Sequence, residues 1–186
     1  ERLVGSEMCI RDSPMQGAMQ GNGMGPVIWL AISVLLITIM NAEGFGANFT
    51  AAISLGILQM CCFMFVDDCD LVQTTKKPQQ SAMEGLQRFQ AAVDCWSGCL
   101  QVTGGAIKPE KSFWYLLDWK WTGNSWAPVT KEEAPGEITI RTAQGHRVAL
   151  RRCEPKESNL TLGIQVAMDG NQKGEKAYLR QHAVEF

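Results

Sequence analysis

The residues best suited to chemistry are three acids, Asp67, Asp68 and Asp70, which follow an uncharged run from Cys61 to Val66. Apolar, aromatic and β-branched residues in such a run predict a buried strand. Two adjacent carboxylates at its end are costly unless a positive charge lies on them. Carboxylate oxygens are the ligands that Mg²⁺ prefers, so the Asp67-Asp68 pair predicts a divalent-metal site. The competing interpretation is a solvated acidic turn after a core strand.

The elements that must position these acids are a hairpin and two helices. We predict the hairpin from a strand over about residues 53–66 and a return strand over 71–74, with Asp67 and Asp68 at its tip. The apolar segment Val27–Met40 predicts a helix that is buried on all sides. A clear amphipathic pattern predicts a second helix over Ser81–Val102, which Gly104 and Gly105 end.

Strands are predicted to dominate the rest of the chain. We expect a strand over Lys111–Trp121, hairpins that turn near Gly123 and Gly145, a short strand over Leu160–Val166 and a helix over Glu175–Phe186. This order predicts an α+β fold with an antiparallel sheet and packed helices. We expect four tryptophans to pack in the core or on the sheet rather than to stack on bases. They are Trp114, Trp119, Trp121 and Trp126.

Composition and charge are those of a globular chain without a strong electrostatic signature. The 186 residues are 46% hydrophobic and 19% charged, with a formal net charge of −2, which does not indicate nucleic-acid binding. One local stretch, Arg141–Lys156, carries five Arg or Lys against one acid. A solvated face is its default explanation.

The cysteines and the hydropathy pattern indicate an intracellular protein, in the cytoplasm or nucleus. The chain has seven cysteines and two histidines, and no two cysteines have the CxxC spacing. This pattern argues against a zinc site and favours reduced thiols. The apolar run Val27–Met40 is short for a transmembrane span, so we predict no membrane partner.

The segment Glu7–Ser13 resembles a translated transposase mosaic-end adapter from a sequencing library. We therefore expect residues 1–13 to be foreign to the protein and exclude them from fold reasoning. The natural sequence would then begin near Pro14 or Met15. The N-terminal half of the parent protein would be missing.

Four motifs, in order, resemble the reverse-transcriptase palm of non-LTR retrotransposons and cover about residues 16–170, and the acidic hairpin is one of them. The first is similar to the family's Gln-Gly motif, with Gly25 where serine is usual. The second is similar to its metal-binding aromatic-x-Asp-Asp hairpin. The third is similar to a glycine turn leading to a lysine, and the fourth to a Leu-Gly element at the base of the thumb. The matching segments are Gln20–Pro26, Phe65–Asp68, Gly104–Ser112 and Leu162–Ile164.

This resemblance implies a partial right-hand polymerase palm over residues 14–170 and the start of a thumb or connection helix over 171–186. It implies an RNA-directed DNA polymerase that extends a DNA primer on an RNA template from dNTPs. In such transfer, two Mg²⁺ ions roughly 3.5–4 Å apart stabilise the attacking and leaving oxygens. Asp67 would be the firmer metal ligand and Asp68 the less direct one, while Asp70 would face solvent or pair with a lysine.

The resemblance also implies residues that bind template and substrate. The glycines would let backbone approach the template and the incoming nucleotide closely. Lys111 would lie near the triphosphate, with an ordinary solvated surface lysine as the alternative. Arg147 and Arg151 would contact duplex phosphates. The residues are Gln20, Gly21, Gly23, Lys111, Arg147 and Arg151.

One departure from the family concerns its first catalytic aspartate, which lies on a strand upstream of the Gln-Gly motif. The chain offers only Asp12 there, inside the adapter-like segment. We therefore expect an incomplete two-metal site and no template-dependent synthesis by the isolated chain in a primer-extension assay. The alternatives are a non-catalytic α+β protein with an acidic hairpin turn, and another palm enzyme such as a nucleotide cyclase. The Gln-Gly loop and the Leu-Gly element favour the reverse transcriptase over the cyclase.

Overall fold

The computed structural model describes residues 24–65, 68–75, 81–142, 145–161 and 164–184. Within these ranges the chain forms helices and short paired strands, so the predicted α+β class is confirmed. The chain divides into two compact units. The first comprises Glu1–Lys108 and Thr139–Val148, and the second Pro109–Ile138 and Ala149–Phe186.

The elements are, in chain order, α1 (Gly25–Ala42), β1 (Ala47–Thr50), β2 (Ile57–Met60), β3 (Cys62–Phe65), β4 (Asp68–Leu71), α2 (Ala82–Val102), β5 (Phe113–Tyr115), β6 (Trp119–Trp121), β7 (Trp126–Pro128), β8 (Thr139–Arg141), β9 (Arg147–Ala149), β10 (Arg151–Cys153), β11 (Ser158–Thr161), β12 (Ile164–Ala167) and α3 (Lys173–Val184).

Helix α1 forms where the apolar run predicts it, with Pro26 in its first turn, where the missing N–H costs nothing. The prediction that it is buried on all sides is wrong, because Leu30 and Leu35 are each 64% exposed. Ser33, Leu36 and Met40 form the buried stripe. Among the described helices, α1 packs against α2, and that contact covers one stripe of an apolar surface that continues around α1.

Among the described residues, α1 is also the one helix whose length and apolar composition would suit a membrane span. A core helix of a soluble protein and a signal sequence have the same two properties. The absence of a membrane partner therefore stays a prediction.

Helix α2 confirms the predicted amphipathic helix. Its N-cap is Ser81, whose hydroxyl accepts from the Glu84 N–H, while the Glu84 carboxylate accepts from the Ser81 N–H. This capping box satisfies two N–H groups that a helix start leaves unpaired. Trp96 and Leu100 lie on the buried stripe, and Gly104, with φ of +82°, ends the helix as predicted.

The strands differ most from the sequence predictions, because three segments that are each predicted as one strand contain parts of two strands. The segment 53–66 contains β2 and β3, the segment 111–121 contains β5 and β6, and the segment 160–166 spans parts of β11 and β12. Hydrophobic content marks extended chain, but it does not show where the chain turns to take a new partner. Two of these segments fold back on nearby strands, as the pairing of β1 with β2 and of β11 with β12 shows.

The described strands form six two-stranded pairs instead of the predicted antiparallel sheet. Four pairs are antiparallel in register, whereas β5 and β10 run parallel, with Phe113 opposite Arg151 and Tyr115 opposite Cys153. A parallel pair needs a long crossover connection, which local sequence patterns do not reveal. The predicted hairpin at Gly123, with φ of +94°, is confirmed as β6–β7.

The tryptophans divide into one core residue and three exposed ones. Trp114 is 3% exposed, as predicted. A core position is wrong for Trp119, Trp121 and Trp126, which are 44%, 54% and 65% exposed. Trp121 and Trp126 instead pack on the sheet, facing each other across β6–β7 edge to face with ring centroids 5.5 Å apart.

Each unit has buried apolar side chains of its own. In the first unit they form one cluster from α1, α2 and the bend before β3. Its members are Leu36, Met40, Cys61, Ala92, Trp96 and Leu100. In the second unit, Trp114, Ile138 and Cys153 are buried, and α3 packs on the β11–β12 hairpin. The domain limits at residues 13 and 170 stay predictions.

Candidate functional site

The acidic hairpin is formed by β3 and β4, which pair from Cys62 opposite Leu71 to Phe65 opposite Asp68. The return strand therefore begins at Asp68, earlier than the predicted Leu71. Asp68 is a strand residue rather than a turn residue, because its backbone pairs with that of Phe65. Asp67, the other acid of the predicted tip, lies outside the described residues.

The two faces of β4 differ in polarity. Asp68 and Asp70 are exposed, whereas Cys69 and Leu71 are half-buried. Successive side chains of a strand point to opposite faces, so the two carboxylates share one face. Cys69 and Leu71 pack against the core cluster of the first unit, which anchors the opposite face. The hairpin thus presents Asp68 and Asp70 from a strand that the core holds in place.

The Asp68 carboxylate affects the acidity of Asp70. Partial burial raises the pKa of Asp70, and the neighbouring Asp68 carboxylate raises it further. Within the described residues, no Lys, Arg or His side chain forms an ion pair with either carboxylate. The prediction that Asp70 faces solvent is confirmed, and the described part of the chain supplies no lysine partner for it.

The Asp68 and Asp70 carboxylates are suited to binding one hard divalent cation rather than two. Mg²⁺ in proteins keeps several waters and uses one or two carboxylates, which Asp68 and Asp70 together could supply. No group of three or more His, Cys, Asp or Glu side chains in the described ranges has the arrangement of a metal site. A two-metal centre would therefore need ligands beyond these ranges, and Asp67 is one candidate in the sequence.

Arg147, predicted to contact duplex phosphates, lies in the first unit and already has protein partners. Its guanidinium lies 3.3 Å from the Asp94 carboxylate and donates to the Thr139 hydroxyl at 2.8 Å. The Arg147 side chain is still 47% exposed. A phosphate would have to share the guanidinium with Asp94.

Arg151 and Lys111 lie in the second unit. The Arg151 guanidinium hydrogen-bonds the Asn159 side chain and lies over the Phe113 ring, 5.5 Å from its centroid. Lys111 ends a short 3₁₀ turn, Pro109–Lys111, and is exposed. Their roles at phosphate and triphosphate stay predictions.

The remaining predicted site residues, Gln20, Gly21 and Gly23, lie outside the described residues. Of the predicted site residues, Asp68 thus lies on the β3–β4 hairpin, and Arg147 lies in the first unit with that hairpin. It also brings together a group that the sequence did not single out, the thiols of Cys61, Cys62 and Cys69. The signal in the sequence was the position of Cys61 and Cys62 in the apolar run and of Cys69 directly after the Asp pair.

Comparison of the chain with protein-family models, with curated proteins and with solved structures found no match.

Proposed function

We propose that this chain is part of the palm of an RNA-directed DNA polymerase, in which the β3–β4 hairpin binds Mg²⁺ for nucleotidyl transfer. The observation that carries the proposal is the pair of exposed carboxylates, Asp68 and Asp70, on one strand face. The opposite face of that strand packs on a hydrophobic core. The ordered sequence motifs around the hairpin supply the polymerase interpretation.

The electrostatics of the hairpin support cation binding. Burial raises the pKa of Asp70, and repulsion from the Asp68 carboxylate raises it further. A divalent cation between them would remove this repulsion and gain two oxygen ligands. When bound, the metal would stabilise charge on the transferring phosphoryl group. Asp68 and Asp70 would hold and orient it.

The test is a Mn²⁺ titration of the whole chain, followed by electron paramagnetic resonance of the free ion. We expect a site that Mg²⁺ displaces, and a loss of affinity of about tenfold or more in Asp68→Asn, because a ligating charge is gone. Asp118→Asn is the matched control, since it neutralises an exposed aspartate of the second unit. Equal Mn²⁺ affinities of wild type and Asp68→Asn would overturn the metal role of the hairpin.

A second candidate is a non-catalytic α+β protein with a solvated acidic hairpin. It is favoured by the exposure of both acids and by the lack of a third metal-ligating side chain beside them in the described ranges. This candidate predicts no Mn²⁺ site on the hairpin. It also predicts no binding of an RNA–DNA hybrid that depends on the divalent cation.

A further inference from the structure

Three cysteine thiols gather on the hairpin that carries the acids, on its core-facing side. Cys61 lies in the bend before β3 and is 3% exposed, while Cys62 and Cys69 are half-buried on β3 and β4. The Cys61 and Cys62 sulfurs lie 3.8 Å apart. Cys69 lies on the same face of the hairpin as Cys62 and is near enough to affect the acidity of the Cys62 thiol. All three are free thiols.

The register explains why Cys62 and Cys69 meet. Cys62 lies opposite Leu71 and Cys69 lies opposite Met64, so the two cysteines are diagonal neighbours on one face of the hairpin. Diagonal Cα atoms of an antiparallel pair are roughly 7–8 Å apart. A disulfide needs a Cα separation of up to about 6.8 Å. The hairpin would have to draw in slightly for a bond to close, and such strain makes a disulfide easier to reduce.

The thiols of the hairpin differ in acidity. The Cys69 hydrogen bond lowers the pKa of Cys62 to about 7 against the opposing effect of burial, whereas burial and the neighbouring Cys62 raise the pKa of Cys61 to about 11. The thiolate is the reactive form of cysteine. Of the neighbouring Cys61 and Cys62, Cys62 is therefore the nucleophile near neutral pH.

We propose that Cys62 and Cys69 form a peroxide-reactive pair that closes to a reversible disulfide across the β3–β4 hairpin. The Cys62 thiolate attacks one peroxide oxygen, the O–O bond breaks and hydroxide leaves, so that sulfur is oxidised to a sulfenic acid as the peroxide is reduced. The Cys69 sulfur then attacks the Cys62 sulfur, and the S–O bond breaks. The Cys69 proton leaves with that oxygen as water. Two thiols and one hydrogen peroxide thus give one disulfide and two waters.

The test exposes the reduced whole chain to hydrogen peroxide at pH 7, blocks the remaining thiols with N-ethylmaleimide and measures the intact mass. We expect a product that has lost two alkylatable thiols and that dithiothreitol restores. Aspartates lie between Cys62 and Cys69 in the sequence, so cleavage before aspartate separates the two cysteines unless a disulfide joins them. For the wild-type protein we therefore expect a disulfide-linked pair of peptides, one with Cys62 and the other with Cys69. This measurement requires no variant.

Variants assign the roles. In Cys69→Ser we expect the cross-link to disappear and the Cys62 sulfenic acid to be trapped by dimedone. In Cys61→Ser we expect the cross-link to persist, since Cys61 is not a partner. The matched control is Cys95→Ser, because Cys95 is a half-buried thiol of the same core that hydrogen-bonds Cys99, and burial raises its pKa. We expect Cys62 to be alkylated on the order of tenfold faster than Cys95 at pH 7, from its larger thiolate fraction.

Three results would overturn the proposal. The first is that peroxide leaves Cys62 and Cys69 fully alkylatable at concentrations that oxidise free cysteine. The second is a cross-link that joins Cys62 to a residue other than Cys69. The third is oxidation of Cys62 to a sulfinic acid without any cross-link in the wild-type chain. Circular dichroism of each variant, compared with the wild type, shows whether the fold is retained.

Discussion

The side-chain amide of Gln90 on α2 pairs with both backbone groups of Thr139 in β8, 49 residues further along the chain. The Gln90 Nε2 donates to the Thr139 carbonyl at 2.8 Å, and the Thr139 N–H donates to the Gln90 Oε1 at 2.8 Å. A side-chain amide thus takes the place of a neighbouring strand at the edge of β8. The same arrangement recurs at Gly46, whose N–H and carbonyl both bond the Gln73 amide at 3.0 Å.

Replacing Gln90 should therefore lower the stability of the first unit. We expect Gln90→Ala to cost about 1–3 kcal/mol in the free energy of unfolding, because two half-buried backbone groups lose their partners. The measurement is urea unfolding followed by circular dichroism. Gln87→Ala, an exposed glutamine on the same helix, should change the free energy by less than about 0.5 kcal/mol. Equal effects of the two substitutions would show that the Thr139 contact contributes nothing.

Two glycines of the first unit should respond in opposite directions to the same substitution. Gly46 has a φ of +116°, and a Cβ there would lie 2.6 Å from the Met60 carbonyl oxygen. We expect Gly46→Ala to lower the free energy of unfolding by about 1–3 kcal/mol through backbone strain. Gly98 lies exposed within α2, where an added Cβ would meet open space, so Gly98→Ala should stabilise by up to about 1 kcal/mol. Thermal unfolding of both variants tests the pair, and a stabilised Gly46→Ala would contradict the geometry.

Neutralising Asp68 should change the titration of Asp70. Because the pKa of Asp70 is raised in the folded chain, Asp70 stabilises the fold below the ordinary aspartate pKa of about 3.9. This contribution to the free energy of unfolding is lost as the pH rises through the pKa that Asp70 has in the folded chain. Asp68→Asn removes one of the two causes, so we expect the pKa of Asp70 to fall toward the ordinary value. Carboxyl ¹³C NMR titration measures it, with Asp94→Asn as the control. An unchanged Asp70 titration in Asp68→Asn would mean that burial alone raises the pKa.

Arg147 should affect nucleic-acid binding if it contacts a phosphate. We expect Arg147→Ala to weaken binding of a labelled RNA–DNA hybrid and to reduce the slope of log affinity against log salt by about 1. Fluorescence anisotropy at several salt concentrations gives that slope. Lys120→Ala is the matched control, because Lys120 also pairs with a carboxylate and is likewise 47% exposed. The same slope change in both variants would assign the effect to net charge.

The site could be predicted in part from local sequence. The run that ends in Asp67 and Asp68 marked a hairpin with exposed acids, and the structure has that hairpin with Asp68 and Asp70 on its solvent face. The partners of Arg147 and Arg151 could not be predicted. Asp94 lies 53 residues before Arg147 in the chain, and no periodic pattern links residues at such a separation.

The sequence by itself determined the elements whose causes are local. The cap at Ser81, the apolar stripe of α2 and the glycine turns after Val102 and at Gly123 all follow from side chains within a few residues of one another. The tertiary structure alone decided which strands pair, which stripe of α1 is buried and that Cys62 and Cys69 meet. These outcomes depend on register and packing between distant segments, and a pattern of hydrophobicity leaves them open because it is compatible with several partners.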